Sequence, residues 1–277
     1  MLFRLIAITY ASLMLPSFAC ASTPQRIITL APHATEMAFA AGLGEKIIAV
    51  SERSDYPPQA QQLETVSNYQ GIKLERILAL KPDLVIAWPA GNPAKALAQL
   101  EQFGIEVYFS HTNSLEDIAN NLEALAAYSD DPSTGRAAAA KFRQQLTELK
   151  LRYDTETPVR YFYQLSDKPL ITVADGHWPA AVFQFCGGEN SFQQANAPYP
   201  QVSVEQVILR QPEAMFTSPH ATDYTTVWQP WQADIPALKF GHFWSLNPDW
   251  LNRPTPRTVL ALEQVCQHLD TVRQHRQ

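Results

Sequence analysis

The chain contains one passage twice, 130 residues apart, and this duplication limits the folds that it can adopt. The first copy runs from Tyr69 to Val85 and the second from Tyr199 to Met215. Ile105 and Ile235 extend the same offset. Solenoid repeats recur about every 20–50 residues, so a longer period predicts two similar lobes with a cleft between them. Four paired positions keep their chemistry, namely Tyr69/Tyr199, Glu75/Glu205, Pro82/Pro212 and Asp83/Glu213.

Length and composition are compatible with two globular lobes. The chain has 277 residues, of which 46% are hydrophobic and 17% are charged, as in folded proteins with a sizeable core. The formal net charge is −6. Basic side chains form no cluster along the chain, and a nucleic-acid partner normally requires a basic face. Composition therefore argues against nucleic-acid binding.

The N-terminal residues 1–21 have the pattern of a secretory signal peptide. Arg4 supplies the basic start, and an apolar stretch too short to span a bilayer follows it. Small residues at Ala19 and Ala21 predict cleavage after Ala21 and export of the mature chain. The alternative is that Cys20 is kept as a lipidated N-terminus, although Phe18 fits a lipidation motif poorly.

Cleavage after Ala21 would leave two cysteines, Cys186 and Cys266. An even pair in an exported chain is a candidate disulfide, because oxidising compartments favour the bridge. Two buried free thiols are the alternative. The residues themselves leave this choice open.

Strand-like and helix-like segments alternate through both halves of the chain, which predicts α/β lobes with parallel sheets. The predicted organisation is a signal peptide (1–21), an N-terminal lobe (22–128), one long inter-lobe helix (129–156) and a C-terminal lobe (157–277). Predicted strands cover 26–30, 46–50, 83–88, 105–109, 159–163 and 214–217. Predicted helices cover 35–42, 74–80, 94–103, 115–128, 134–153, 180–186, 227–232 and 257–277, with turns at 31–33, 129–132 and 187–190.

Aromatic side chains at predicted loops and strand ends are candidates for a ligand crevice, which parallel sheets form beyond the carboxyl ends of their strands. Aromatic walls suit a large, flat, partly apolar ligand. Each ring could instead pack its own lobe, but the duplicated placement of Tyr69 and Tyr199 favours a shared gap. The candidates are Tyr69, Trp88, Trp178, Tyr199, Trp244 and Trp250.

Glu75 and Glu205 occupy the first turns of their predicted helices. The helix dipole favours an acid there by about 0.3–1 kcal/mol, which accounts for both copies without any function. A matched pair of exposed carboxylates, one on each lobe, would also fit the basic pockets of a two-fold partner. The residues leave both interpretations open.

The sequence contains no nucleophile elbow, dinucleotide fingerprint or phosphate-binding loop. Its histidines lack the spacing of metalloprotease ligands, so we predict no enzyme activity, no metal site and no cofactor. A site built from His33, His111 and His177 across the cleft is the alternative, and it would suit a secreted metallo-hydrolase. The segment Asp249–Arg253 precedes two prolines and is predicted to be a rigid surface loop able to bond amides or phosphate.

Several blocks of the chain resemble the periplasmic vitamin B12 (cobalamin)-binding proteins of B12 ABC importers, within the helical-backbone class of solute-binding proteins. The resemblance covers nearly the whole chain after the signal peptide. The blocks that carry it are 54–61, 70–77, 79–88, 186–190 and 200–203. Haem and siderophore binders share the architecture without these blocks, and they are the alternative within the class.

The resemblance implies a fold and a function. It implies two Rossmann-like lobes joined by one long rigid helix, with cobalamin held between them and delivered to the permease dimer and its ATPase complex by a monomeric carrier. It also implies docking through Glu75 and Glu205, and a disulfide between Cys186 and Cys266. The ligand contacts that it implies are Tyr69, Trp88, Tyr199, Asp249, Trp250, Leu251, Asn252 and Arg253.

Five positions of the implied ligand site, Arg53 included, depart from the family pattern. Tyr69 and Tyr199 stand where the family has tryptophans, and Leu251 and Asn252 are changed members of the ligand-binding loop. Arg53 stands where the family has a tyrosine, so the aromatic contact is replaced by a guanidinium able to stack or to bond an amide. In addition, Ile171 falls near a family phenylalanine, which reduces the stacking area.

Overall fold

The computed structural model describes residues 23–154, 157–218 and 226–276. A first lobe is built on six strands: β1 (Ile27–Thr29), β2 (Ile47–Ser51), β3 (Glu64–Asn68), β4 (Gly71–Ile72), β5 (Leu84–Ala87) and β6 (Glu106–Phe109). Their spatial order is β4-β3-β2-β1-β5-β6, and only the β3–β4 pair is antiparallel. Its helices are α1 (Pro32–Ala40), α2 (Leu74–Leu80), α3 (Ala94–Gln102) and α4 (Leu115–Ala126).

Continuous apolar runs produce the buried centre of this sheet. Every residue of β1 and β5 is buried, as expected for parallel strands with helices on both faces. Helix α1 begins three residues before the predicted start, because Pro32 occupies its first turn, where the missing N–H costs nothing. The turn predicted at 31–33 is therefore wrong from Pro32 onward.

A single helix, α5 (Pro132–Tyr153), connects the two lobes. Its 22 residues span about 33 Å at 1.5 Å per residue. Asp131 caps its first turn by accepting a hydrogen bond from the Ser133 N–H, so the helix starts two residues before the predicted position. Helix α5 packs against α4 and, in the second lobe, against α10 (Thr258–His275). The predicted lobe boundaries at 128 and 156 stay predictions.

The second lobe contains the strands β7 (Val159–Gln164), β8 (Ser166–Asp167), β9 (Leu170–Ile171), β10 (Gly188–Asn190), β11 (Ala214–Thr217) and β12 (Phe243–Ser245). Four of them form a parallel sheet in the order β10-β7-β11-β12, and β8 and β9 form a small hairpin. Its remaining helices are α6 (Ala180–Phe185), α7 (Val204–Arg210), α8 (Pro236–Lys239) and α9 (Pro248–Leu251). The predicted helix at 227–232 is a 3-10 turn over Thr226–Trp231. The α/β class and the two-lobe architecture predicted from the sequence are confirmed.

The glycine pair at 187–188 has two structural roles, of which only one was predicted. Gly187 has φ 73° and ends α6, a conformation that favours glycine. Gly188, however, begins β10 instead of continuing a turn. A Cβ at Gly188 would lie 2.9 Å from the Phe183 carbonyl, so close backbone approach explains the second glycine.

The sequence repeat corresponds to a structural repeat. Helices α2 and α7 have the same length at an offset of 130 residues, and so do strands β5 and β11. Lys81 and Gln211, which follow the two helices, both adopt φ 48°. The equivalence stops after β11, because Ile105 leads into β6 whereas Ile235 is the N-cap of α8. Extending the repeat to this isoleucine pair was therefore wrong.

Cys186 and Cys266 form a disulfide that joins the end of α6 to α10, with a Cα–Cα distance of 4.8 Å. The predicted bridge is confirmed. The predicted signal peptide and Cys20 lie outside the described residues. None of the helices that the structure describes is long and apolar enough to cross a membrane.

Candidate ligand cleft

In each sheet the first strand of the lobe has later strands added on one side and then on the other. The boundary between the two sides is the topological switch point of the sheet. In the first lobe this point lies between β1 and β5, and in the second it lies between β7 and β11. Parallel α/β sheets bind ligands at such switch points, beyond the carboxyl ends of the strands. Each lobe therefore has one preferred position for ligand contacts.

His33 and Trp88 occupy the switch point of the first lobe, because His33 follows β1 and Trp88 follows β5. Their rings meet edge to face at a centroid distance of 5.4 Å. His33 is only 5% exposed, whereas Trp88 is half-buried. The Nε2 atom of His33 is buried without a hydrogen-bond partner among the described residues. The indole of Trp88 therefore offers the more accessible surface at this end of the sheet.

A chain of buried hydroxyl groups ties the loops after β1 and β2 together. The Thr35 hydroxyl lies 2.7 Å from that of Thr29 and 2.8 Å from that of Ser54, and Ser54 lies 3.0 Å from Ser51. The neighbouring Arg53 is exposed and adopts the left-handed conformation, with φ 62°. The hydroxyl chain thus fixes the loop that carries Arg53 and Asp55.

Tyr163 marks the switch point of the second lobe. Its buried hydroxyl hydrogen-bonds to the Ser218 hydroxyl and donates to the Asn252 side-chain oxygen at 2.9 Å. The Asn252 amide in turn donates to Ser218 at 2.9 Å. Burial raises the pKa of Tyr163 to about 12, so the phenol stays neutral. These bonds place Asn252 at the carboxyl ends of β7 and β11.

Arg253 links the two lobes at the cleft. Its guanidinium forms an ion pair with Asp55 of the first lobe and a second one, 3.0 Å long, with Asp249 of its own lobe. The hydrogen bond from Arg253 lowers the pKa of Asp55. Burial, with a smaller contribution from the Arg253 charge, lowers the pKa of His33 from 6.5 to about 4. His33 is therefore a neutral imidazole near pH 7.

A second contact between the lobes lies next to this one. Arg257 donates to both carboxylate oxygens of Glu36, at 2.8 and 2.7 Å, and its guanidinium stacks 3.9 Å from the Tyr56 ring centroid. Glu36 is 3% exposed. A cavity of about 490 Å³ borders these three side chains. Since α1 carries Glu36 and the start of α10 carries Arg257, this contact fixes the lobes relative to each other.

The segment Asp249–Arg253 is not a loop throughout. Helix α9 includes Asp249, Trp250 and Leu251, and Asn247 caps it by accepting from the Asp249 N–H at 2.9 Å. The Leu251 side chain is fully buried and its carbonyl accepts from the Trp178 indole at 2.8 Å. A direct Leu251 side-chain contact with a ligand is therefore excluded by burial, whereas Asp249, Trp250, Asn252 and Arg253 remain partly exposed.

Tyr69 and Tyr199 have different surroundings despite their shared offset. Tyr69 is 90% exposed in the turn between β3 and β4. Tyr199 is 47% exposed and donates to the Trp178 carbonyl at 3.2 Å. The Tyr69 ring thus lies largely in solvent, where its hydroxyl accepts from the neighbouring Gln70 amide at 3.2 Å, whereas the Tyr199 ring is held by the second lobe. Their contact with a common ligand stays a prediction.

Glu75 and Glu205 are exposed in the first turns of α2 and α7. Ser203 and Gln206 form the predicted capping box of α7. A hydrogen bond from Ser203 lowers the pKa of Glu205, which keeps this carboxylate ionised. Both acids are available on the surface, and their docking role stays a prediction.

Two other candidate tryptophans are packing residues. Trp178 is 8% exposed and bonds to Leu251, and Trp244 stacks on His268 of α10 at 4.4 Å between ring centroids. Across the described residues, no three His, Cys, Asp or Glu side chains are placed to share a metal ion. His33, His111 and His177 do not form such a group.

Sequence reasoning did not select Asp55 and Tyr163 as site residues. Asp55 lies in the loop after β2, and Tyr163 is the last but one residue of β7. The strand-end rule would have selected them once strand order was known. The Asp55–Arg253 pair joins residues that are 198 positions apart, and no local sequence pattern predicts such a contact.

Comparison with known proteins agrees with this architecture. Residues 27–249 match the family model described as periplasmic binding protein. A vitamin B12-binding protein of Vibrio parahaemolyticus is 62% identical over 96% of this chain and 98% of its own length. Another, from Pectobacterium atrosepticum, is 44% identical over 91% of this chain and 90% of its own.

A crystal structure of the periplasmic vitamin B12-binding protein BtuF of Vibrio cholerae superimposes with a TM-score of 0.87 at 56% identity, covering 91% of this chain and 98% of that one. A periplasmic haem-binding protein of the same species, HutB, shares the fold with a TM-score of 0.75 at 19% identity, covering 88% and 99%. The chain therefore belongs to the periplasmic binding protein family, in the branch formed by the vitamin B12-binding proteins.

Proposed function

We propose that this protein binds cobalamin in the cleft between its lobes and delivers it to an inner-membrane ABC importer without covalent chemistry. The observation that carries the proposal is the 62% identity to a vitamin B12-binding protein across nearly the whole chain. It is supported by Asn252 at the second switch point and by the Arg253–Asp55 pair that joins the lobes. Its relatives are periplasmic proteins, and we propose that cleavage after Ala21 releases the mature carrier into that compartment.

The cleft has the chemistry that a corrinoid requires. Trp88 offers an apolar ring at the first switch point, and Tyr69 and Tyr199 supply further aromatic surface. Arg253 and Asn252 are suited to the propionamide groups and phosphate of cobalamin, since a guanidinium and an amide donate in fixed directions. Arg53, Asp249 and Trp250 complete the proposed contact set, while the buried Leu251 anchors their segment to Trp178.

Glu75 and Glu205 would dock the loaded carrier onto the two-fold permease. The equal offset of helices α2 and α7 supports this assignment, because it gives each lobe one exposed carboxylate at the same place. We propose that a monomer engages both halves of the permease and its ATPase complex. Haem is the second candidate ligand, favoured only by the fold that this chain shares with haem-binding proteins.

Replacement of Trp88 tests the proposed contact set. Trp88→Ala should weaken cyanocobalamin binding by about 1–3 kcal/mol, as loss of a buried aromatic anchor does. Trp244→Ala is the matched control, because Trp244 packs against α10. The dissociation constants would be measured by equilibrium dialysis, with cyanocobalamin quantified by its absorbance. An unchanged constant for Trp88→Ala would remove Trp88 from the site.

A further inference from the structure

We infer that Gly91 and Asn92 are positioning residues that hold the Trp88 indole ready for the ligand. The inference rests on the proposed function, since it assumes that Trp88 contacts the ligand. Neither residue lies in the candidate contact set. Both belong to the turn that follows β5 and leads into α3.

Only glycine fits at position 91, because the Trp88 indole occupies the space that a side chain would need. A Cβ at this position would lie within 3.0 Å of three indole atoms of Trp88, namely Cδ2, Cε3 and Cζ3. The six-membered ring therefore rests directly on the Gly91 backbone, and any larger residue has to displace it. An indole is rigid and offers no flexible end to absorb such a clash, so the ring itself must move.

Asn92 fixes the backbone on which the indole is mounted. Its side-chain oxygen accepts a hydrogen bond from the backbone N–H of Trp88 at 2.7 Å, and its side-chain amide donates to the Leu30 carbonyl at 2.9 Å. The Asn92 N–H also donates to the Trp88 carbonyl at 2.8 Å. Since Leu30 follows β1, one side chain joins the two loops at the switch point of the first lobe.

His33 contacts the same indole from the β1 side, edge to face at 5.4 Å. The ring is thus restricted directly by His33 and the Gly91 backbone, and indirectly by Asn92, which holds the backbone N–H of Trp88. A ring held in the bound orientation loses less conformational entropy when the ligand arrives, which increases affinity. This arrangement deepens the proposed function, because it separates the residue that contacts the ligand from those that orient it.

Gly91→Ala tests the inference, with Gly44→Ala as the matched control. A Cβ at Gly44 would lie 2.6 Å from Cε1 of Phe39, so the control introduces the same kind of aromatic clash away from Trp88. We expect Gly91→Ala to raise the dissociation constant for cyanocobalamin about tenfold, equivalent to about 1.4 kcal/mol. Gly44→Ala should change it less than twofold.

A double-mutant cycle with Trp88→Ala separates positioning from general destabilisation. In the Trp88→Ala background, Gly91→Ala and Asn92→Ala should each change the dissociation constant less than twofold, because the oriented ring is already gone. Equal losses in both backgrounds, or wild-type affinity for Gly91→Ala, would overturn the inference. Near-ultraviolet circular dichroism without ligand gives a second readout, in which Gly91→Ala should lose the signal that Trp88→Ala also removes.

The two assignments fail in different ways. If the wild-type protein does not bind cyanocobalamin, the proposed function is wrong while the circular dichroism result still decides the orientation of Trp88. If the wild type and Gly91→Ala bind equally and Trp88→Ala binds more weakly, only the positioning role is wrong.

Discussion

The Glu36–Arg257 ion pair is predicted to be a major determinant of stability, because it is nearly buried and joins the two lobes. Glu36→Gln keeps the size of the side chain but leaves the Arg257 charge without its counter-charge. Removing one partner of a buried pair costs about 3–5 kcal/mol. The Arg257 side chain is 18% exposed and keeps its contact with Tyr56. We therefore expect a loss of about 2–4 kcal/mol in the free energy of unfolding.

The matched control is Glu64→Gln. Glu64 pairs with Arg76 through the same two-point geometry, at 2.6 and 2.7 Å, but within one lobe and in solvent. Exposed pairs contribute little, so the control should be close to the wild type. Urea unfolding followed by circular dichroism would measure both variants, with unchanged m-values as the test of two-state behaviour. If Glu36→Gln loses no more stability than Glu64→Gln, the reasoning from burial is refuted.

Three other predictions concern the disulfide, the buried His33 and the proposed docking surface. Replacing Cys186 and Cys266 together by serine should cost about 4 kcal/mol, because the disulfide closes a separation of 80 residues; a loss below about 1 kcal/mol in urea unfolding would contradict this. His33 has a pKa of about 4 in the fold against 6.5 when unfolded, so its neutral form stabilises the fold above pH 6.5. That contribution, about 3 kcal/mol, should be lost as the pH falls towards 4. His33→Gln should flatten the pH dependence of unfolding, and an unchanged curve would exclude His33 as its source. Glu75→Ala with Glu205→Ala should abolish stimulation of the importer ATPase in proteoliposomes while leaving cyanocobalamin affinity unchanged; a large loss of affinity would refute the docking role.

Sequence patterns predicted helices and strands well where a few neighbouring residues are enough to specify the element. The capping box at Ser203, the apolar run of β5 and the proline after α2 are each specified by a few neighbouring residues. Strands β10 and β12 were missed, because neither contains the β-branched residues that indicate the equally short β1, and their pairing depends on the sheet.

The site was predictable only in part, for a similar reason. Strand-end position and resemblance identified Trp88 and Arg253 as candidates, but the contact that Arg253 makes with the first lobe comes from a distant part of the chain. Asp55 meets Arg253 only when the lobes face each other. The Trp88–Gly91 contact is local, yet a glycine in a turn is normally explained by conformation, and here the reason is the space occupied by an indole.

Calorimetric titration of the purified protein with cyanocobalamin, and separately with haem, tests the central claim most directly. The account predicts one-to-one binding of cyanocobalamin at micromolar protein, with weaker or no binding of haem. Binding of haem with no heat from cyanocobalamin would contradict it.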